Sequence, residues 1–102
     1  MYFAIFATHR PDSTELRLQA RPTHREYLRD MAAYPEVMVV HGGPTLAEDE
    51  ATMNGSMMIV EAPSLAAAKV FSVGDPYRQA GLFAACEVRP WAWVLGRPYT
   101  GD

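Results

Sequence analysis

Val37-Met38-Val39-Val40-His41-Gly42-Gly43-Pro44 and Asn54-Gly55-Ser56-Met57-Met58-Ile59-Val60-Glu61 are two strand-like runs with nothing helical between them. Branched and long apolar side chains suit the pleated, half-buried surface of a sheet. Gly42-Gly43-Pro44 reads as the close of the first run, and the acidic, polar stretch 44–52 as a loop to the second, which spans about 54–61. Two strands therefore follow one another in the middle of the chain. Pro63-Ser64 then opens a helix with Ser64 as its cap, and Leu65, Ala68 and Phe71, spaced three apart, form its inner face. Gly74 ends it.

The flanks are nearly symmetrical about this centre. Upstream, residues 2–8 are aromatic and branched, a first strand. Pro11-Asp12 signals a helix, with Asp12 able to cap and Glu15 as its reciprocal partner. Pro22 interrupts that helix, because a proline disfavours helical backbone in the residue before it. The expectation is one or two turns, a kink, then a main helix from about Pro22 to Ala33, stopped by Pro35. Downstream, Asp75-Pro76 is a cap followed by a first-turn proline, opening one short turn that finishes at Gly81. A last strand runs from about Ala84 to Val94. The order strand, helix, strand, strand, helix, strand is the ferredoxin-like split βαβ unit, an α+β fold (βαββαβ) with a four-stranded antiparallel sheet. One domain covers residues 1–96, and 97–102 read as a tail.

Two helices cover one sheet face, so a solitary monomer should be polar on the other. It is not. Tyr2, Ala4 and Phe6 alternate with Phe3, Ile5 and Ala7, which makes both faces of the first strand apolar. In the last strand Cys86, Val88, Ala92 and Val94 share one side, and Trp91 and Trp93 share the other with Glu87 and Arg89. An open apolar sheet face is an association site. A second copy packed sheet to sheet, a homodimeric α+β barrel, is the expected cover.

Composition removes several function classes. The net charge of −3 and pI near 5.5 leave no electrostatic footprint for nucleic acid. Cys86 is the lone cysteine, which rules out an internal disulfide and suits a reducing compartment. The apolar run at the N-terminus stops at Thr8-His9-Arg10, too short for a signal peptide or membrane span. A cytoplasmic protein with no membrane partner is expected.

His24 and Asp75 offer the most chemistry. A carboxylate that orients an imidazole fixes its tautomer and makes a minimal acid–base device. Each residue also has a plain structural explanation: His24 lies at the core edge on the inward stripe with Leu28 and Met31, and an aspartate before proline is what capping alone selects. Arg17 and Arg21 precede His24 by seven and three, so an unbroken helix would align them as an anion-binding row. A solvated face balanced by Glu15 and Glu26 is the plainer explanation for at least one of the two. His9, His24 and His41 match no local metal-ligand spacing, and Gly42-Gly43-Pro44 precedes no helix, so it is no phosphate loop. Neither metal nor organic cofactor is expected. Cys86 reads as a small buried apolar residue.

Arg21-Pro22-Thr23-His24, Gly42-Gly43-Pro44, Gly55-Ser56 and Asp75-Pro76-Tyr77 resemble, in order and spacing, the YciI-like (YCII-related) family, and the similarity extends over residues 2–95. The closing Arg89-Pro90-Trp91 also fits. The resemblance implies a dimeric α+β barrel and places a His–Asp pair on His24 and Asp75. It implies cofactor-free lyase- or isomerase-type chemistry, including dehydrochlorination, on small cyclic or aromatic compounds. Ser56 and Tyr77, inside the matching motifs, join Arg17 and Arg21 as candidate ligand contacts. The alternative is a homodimeric module that binds a small metabolite without transforming it. The Glu48-Asp49-Glu50 loop and the segment beyond Leu95 have no clear counterpart in the family pattern.

Overall fold

The computed structural model describes residues 1–98; the end of the tail expected at 97–102 lies outside them. The elements run β1 (Tyr2–His9), α1 (Thr14–Arg29), β2 (Met38–Leu46), β3 (Met53–Glu61), α2 (Leu65–Val73), α3 (Pro76–Gln79) and β4 (Phe83–Trp91). The four strands form one sheet in the order β2-β3-β1-β4, with every neighbouring pair antiparallel. This is the βαββαβ, ferredoxin-like arrangement.

Strand register follows from the period of two. Phe3 pairs with Val60 and Ile5 with Met58, and all four are buried in one core cluster with Ala68 and Phe71 of α2, which are fully enclosed. Burying a side chain of this size contributes about 1.5–3 kcal/mol. Ser64 caps α2 by accepting from the Ala67 N–H (3.1 Å), and Leu65 packs on the rim of the same cluster.

Three expectations need correction. First, α1 is a single helix that carries Pro22 in its interior and ends at Arg29, not two segments reaching Ala33. Pro22 removes the N–H that would have bonded the Leu18 carbonyl, but both residues are exposed, so water can satisfy that oxygen. Asp12 does not cap it. Asp12 has left-handed backbone (φ 55°), Ser13 takes the N-cap position, and the Ser13 hydroxyl donates to the Arg10 carbonyl (2.5 Å). Second, Gly42-Gly43-Pro44 does not close β2 but lies inside it, with Pro44 opposite Ser56. β2 is an edge strand, where a missing N–H is tolerated. The true turn is Ala47–Thr52, where the Asp49 carboxylate accepts from the N–H groups of Ala51 and Thr52 and from the Thr52 hydroxyl. These bonds hold the Asp49 pKa down at about 2. Third, β4 stops at Trp91, three residues short. Trp91 pairs with Tyr2, the first residue of β1, so residues 92–94 have no ladder partner.

Ala92 and Val94 therefore do not continue the helix-facing side of β4. The chain turns instead, and Trp93 packs edge-on against Tyr2 (5.4 Å between ring centres) and His41 (5.4 Å), beside Trp91. The open face keeps Phe6, Met57 and Trp91 exposed, and Val94 and Leu95, beyond the end of β4, are almost bare.

Gly74 joins α2 to α3 where two tyrosines converge. A Cβ there would stand 2.5 Å from the Tyr34 hydroxyl and 2.7 Å from the Tyr27 hydroxyl. Tyr27 cannot easily yield, because it donates to the Phe71 carbonyl (2.7 Å) and stacks on the Phe71 ring. We expect Gly74→Ala to lose about 1–3 kcal/mol in urea unfolding. Gly43→Ala, whose added methyl meets nothing within 4 Å, should stay within about 0.5 kcal/mol of wild type. Equal stabilities for the two variants would refute the steric account.

Candidate active site

None of the sixteen residues of α1 is fully buried. Its middle stands off the sheet, and the gap is a cavity of about 260 Å³. The sheet side of the gap is small or apolar: Val39, Gly42 and Pro44 from β2, and Gly55, Ser56 and Met58 from β3. Gly55 has no alternative, since a Cβ would run into the Ala7 carbonyl and stand 2.7 Å from the Thr45 hydroxyl. The helix side is basic. Because α1 is unbroken, Arg17, Arg21 and Arg25 fall at successive turns and all line the cavity, with His24 between them. Among the described residues none of the three arginines pairs with a carboxylate.

His24 is brought to Asp75 across 51 positions of sequence. Asp75 is 3% exposed and caps α3, its Oδ1 accepting from the Tyr77 N–H (2.9 Å). The same oxygen accepts from His24 Nδ1 at 2.8 Å. With Nδ1 donating, the neutral tautomer leaves Nε2 as the nitrogen available to a ligand. The Tyr77 ring lies parallel to the imidazole, 3.8 Å between centres and 12° apart in plane, so the histidine is gripped on an edge and a face. Burial pushes the Tyr77 phenol up and Asp75 adds to that, while Arg17, Arg21 and Arg25 pull it back.

The six residues singled out from sequence therefore divide simply. His24 and Asp75 are in contact; Arg17, Arg21, Ser56 and Tyr77 all line the cavity beside them. Two further lining residues were missed. Arg25 continues the four-residue spacing of Arg17 and Arg21, and His9 continues the alternation of Phe3, Ile5 and Ala7. Both signals were present in the sequence. Among the described residues no group of three or more His, Cys, Asp or Glu is placed to hold a metal ion. Cys86 is half-buried, with its sulfur 3.4 Å from the Ser72 hydroxyl, away from the cavity lining. Among the described residues no helix is long and apolar enough to cross a membrane.

The molecule thus has a small cavity with a basic wall, and a buried carboxylate behind a histidine, on a ferredoxin-like sheet. The chain belongs to the YCII-related domain family, whose model matches residues 1–92. It is 34% identical over 100 residues to the protein YciI of Escherichia coli O6:H1, covering 93% of this chain and all of that one. An uncharacterized protein of Haemophilus influenzae is 33% identical over 98 residues, again 93% of this chain and all of the relative. Among solved structures, the 5-chloro-2-hydroxyhydroquinone dehydrochlorinase TftG of Burkholderia phenoliruptrix, in complex with 2,5-dihydroxybenzoquinone, superposes with a TM-score of 0.76. It is 36% identical, and the match covers 90% of this chain and 94% of TftG.

His9 supplies a pH test of this geometry. Burial first, then the charges of Arg17 and His24, hold its pKa below the ordinary 6.5. Below that pH the unfolded chain binds the proton more readily than the folded one, so stability should fall as pH drops through and below 6.5. His9→Phe should flatten that decline, measured as urea midpoints between pH 7.5 and pH 5 (about the span over which an unperturbed histidine titrates). An unchanged slope would show that His9 titrates normally.

Proposed function

We propose that the cavity is the active site of a cofactor-free enzyme that removes a proton from a small, anionic or phenolic ring compound, with elimination or isomerisation as the outcome. The observation that carries this reading is the 2.8 Å contact between His24 Nδ1 and the buried Asp75 carboxylate, which leaves Nε2 as the base. His24 accepts the proton of a ring hydroxyl. In an elimination that proton is passed to the ring carbon bearing the leaving group as the hydroxyl becomes a carbonyl, which is by itself an isomerisation. A second ring hydroxyl then gives up its proton to His24, its electron pair forms a second carbonyl, and chloride leaves with the C–Cl bonding pair, a net loss of HCl. Asp75 holds the imidazole and balances the imidazolium as it forms. Arg17 and Arg21, with the Ser56 hydroxyl on the facing sheet wall, stabilise the oxyanion, a task for which guanidinium donors are well suited. The similarity to a dehydrochlorinase crystallised with a dihydroxyquinone supports the substrate class.

The same reading includes a homodimer closed through the open sheet face. Phe6, Met57 and Trp91 are each more than a third exposed there, and Val94 and Leu95 extend the apolar surface. A specific dimer should bury at least about 1,000 Å² in total. Sedimentation equilibrium at tens of micromolar should give twice the monomer mass, and Phe6→Glu should shift it toward monomer. A wild-type protein that sediments as a monomer would refute this part.

Chloride release from chlorinated hydroxyhydroquinones, followed alongside a panel of lactones and phenols, tests the chemistry. His24→Ala should keep ligand affinity within a few-fold while turnover falls about 10²–10⁴-fold, the usual contribution of a general base. Loss of binding and turnover together would make His24 a ligand contact instead. Tight binding by wild-type protein without turnover of any compound would replace the enzyme with a metabolite-binding module.

A further inference from the structure

His9 is a titratable group of the cavity wall with no task in that chemistry. His9 ends β1 and lines the cavity, and its ring is fixed on two sides. Phe83, its cross-strand partner, stacks nearly parallel at 5.9 Å between centres, and Tyr77 meets it edge-on at 6.2 Å. Its Nε2 is buried and has no hydrogen-bond partner among the described residues. Such atoms are rare in folded proteins, because a buried polar atom has given up water for nothing.

From this arrangement we infer that His9 is a ligand-orienting residue, whose imidazole bonds a hydroxyl or keto oxygen of the bound ring compound and so adds a second contact to that of His24. The inference rests on the reading of the cavity as a site for oxygenated rings. Packing alone does not account for the histidine: a phenylalanine would make the same contacts with Phe83 and Tyr77 and leave no nitrogen unpaired. The charged and titratable groups around it are Arg17 and His24 from α1 and Tyr77 from α3. Burial and the two α1 groups disfavour the imidazolium. A neutral imidazole offers one donor and one acceptor, whereas the guanidinium groups opposite can only donate. His9 can therefore accept a hydrogen bond from a protonated ring hydroxyl, which the arginines cannot, and this gives the site a way to tell a partly ionised polyhydroxy ring from a simple anion. A ligand reaches the covered Nε2 by displacing a lining side chain; Arg17, near enough for its charge to act on the imidazole, lines the same cavity.

His9→Phe and His9→Gln, titrated with 2,5-dihydroxybenzoquinone by its visible absorbance and melted without it, test the inference. His9→Phe should melt at or above wild type, since it removes an unpaired buried nitrogen. Its affinity should nevertheless fall about five- to fifty-fold, the loss expected for one hydrogen bond to a ligand in a partly desolvated site. His9→Gln, which keeps a donor and an acceptor, should recover part of that loss. Affinity of His9→Phe within two-fold of wild type would overturn the inference and leave the proposed chemistry at His24 intact. So would a His9→Phe protein that fails to fold or melts well below wild type, since the imidazole would then be structural. Wild-type protein that binds no quinone at all would remove the reading of the cavity, and this inference with it.

Discussion

One carboxylate oxygen holds the site together. Asp75 Oδ1 accepts both the Tyr77 N–H, which starts α3, and His24 Nδ1, which projects from α1. Capping and orientation are thus the same interaction, and neither can be adjusted without the other. Removing the carboxylate would leave a buried amide and an imidazole without a partner, each costing about 1–3 kcal/mol. The joint is braced from the opposite side, where the Tyr27 and Tyr34 hydroxyls close on Gly74. Burial and hydrogen bonding to Tyr34 raise the Tyr27 phenol well above the ordinary range, so it remains a hydrogen-bond donor at any pH the fold meets.

Because α1 is fastened at these points and not by a buried apolar stripe, it can stand away from the sheet. The cavity is what that stand-off leaves. The stability lost by not burying α1 is offset by α2, whose Ala68 and Phe71 are enclosed against Phe3 and Val60. The division of labour is plain: α2 closes the core and α1 roofs the site. It also explains the charge distribution. Three arginines on one helix face repel one another, but on a helix with no fully buried residue solvent screens that repulsion.

Most of this was legible in the sequence, and what was not has identifiable physical causes. The punctuation by Ser64, Gly74, Asp75-Pro76 and Gly81 located α2 and α3 because caps and turns act over three or four residues, the range a sequence displays directly. Pro22 and Gly42-Gly43-Pro44 misled for one shared reason. Both rules assume that a lost hydrogen bond or a flexible residue breaks its element, but Pro22 is exposed to solvent and Pro44 lies in an edge strand. Solvation there substitutes for the missing bond. That exposure is a tertiary fact. His24 and Asp75 had sufficient local explanations, and only the family resemblance raised them above a core-edge histidine and a cap.

His9 shows how a small irregularity positions a side chain. The β1–β4 ladder runs in register until Thr8 pairs with Ala85, then skips a residue, so that His9 pairs with Phe83. Without that bulge His9 would face Ala84 and have no aromatic partner across the ladder. Bulges re-aim side chains at the ends of ladders, and here the extra residue falls where the strand meets the cavity. The period of two continues on both sides of β1: Phe3, Ile5 and Ala7 lead to the core and to His9, while Phe6 on the other face stays exposed. A slip of one residue would exchange the two faces, placing Phe6 toward the cavity and Ile5 on the open surface. The register of one eight-residue strand thus determines which side holds the core and lines the cavity, and which side is left open.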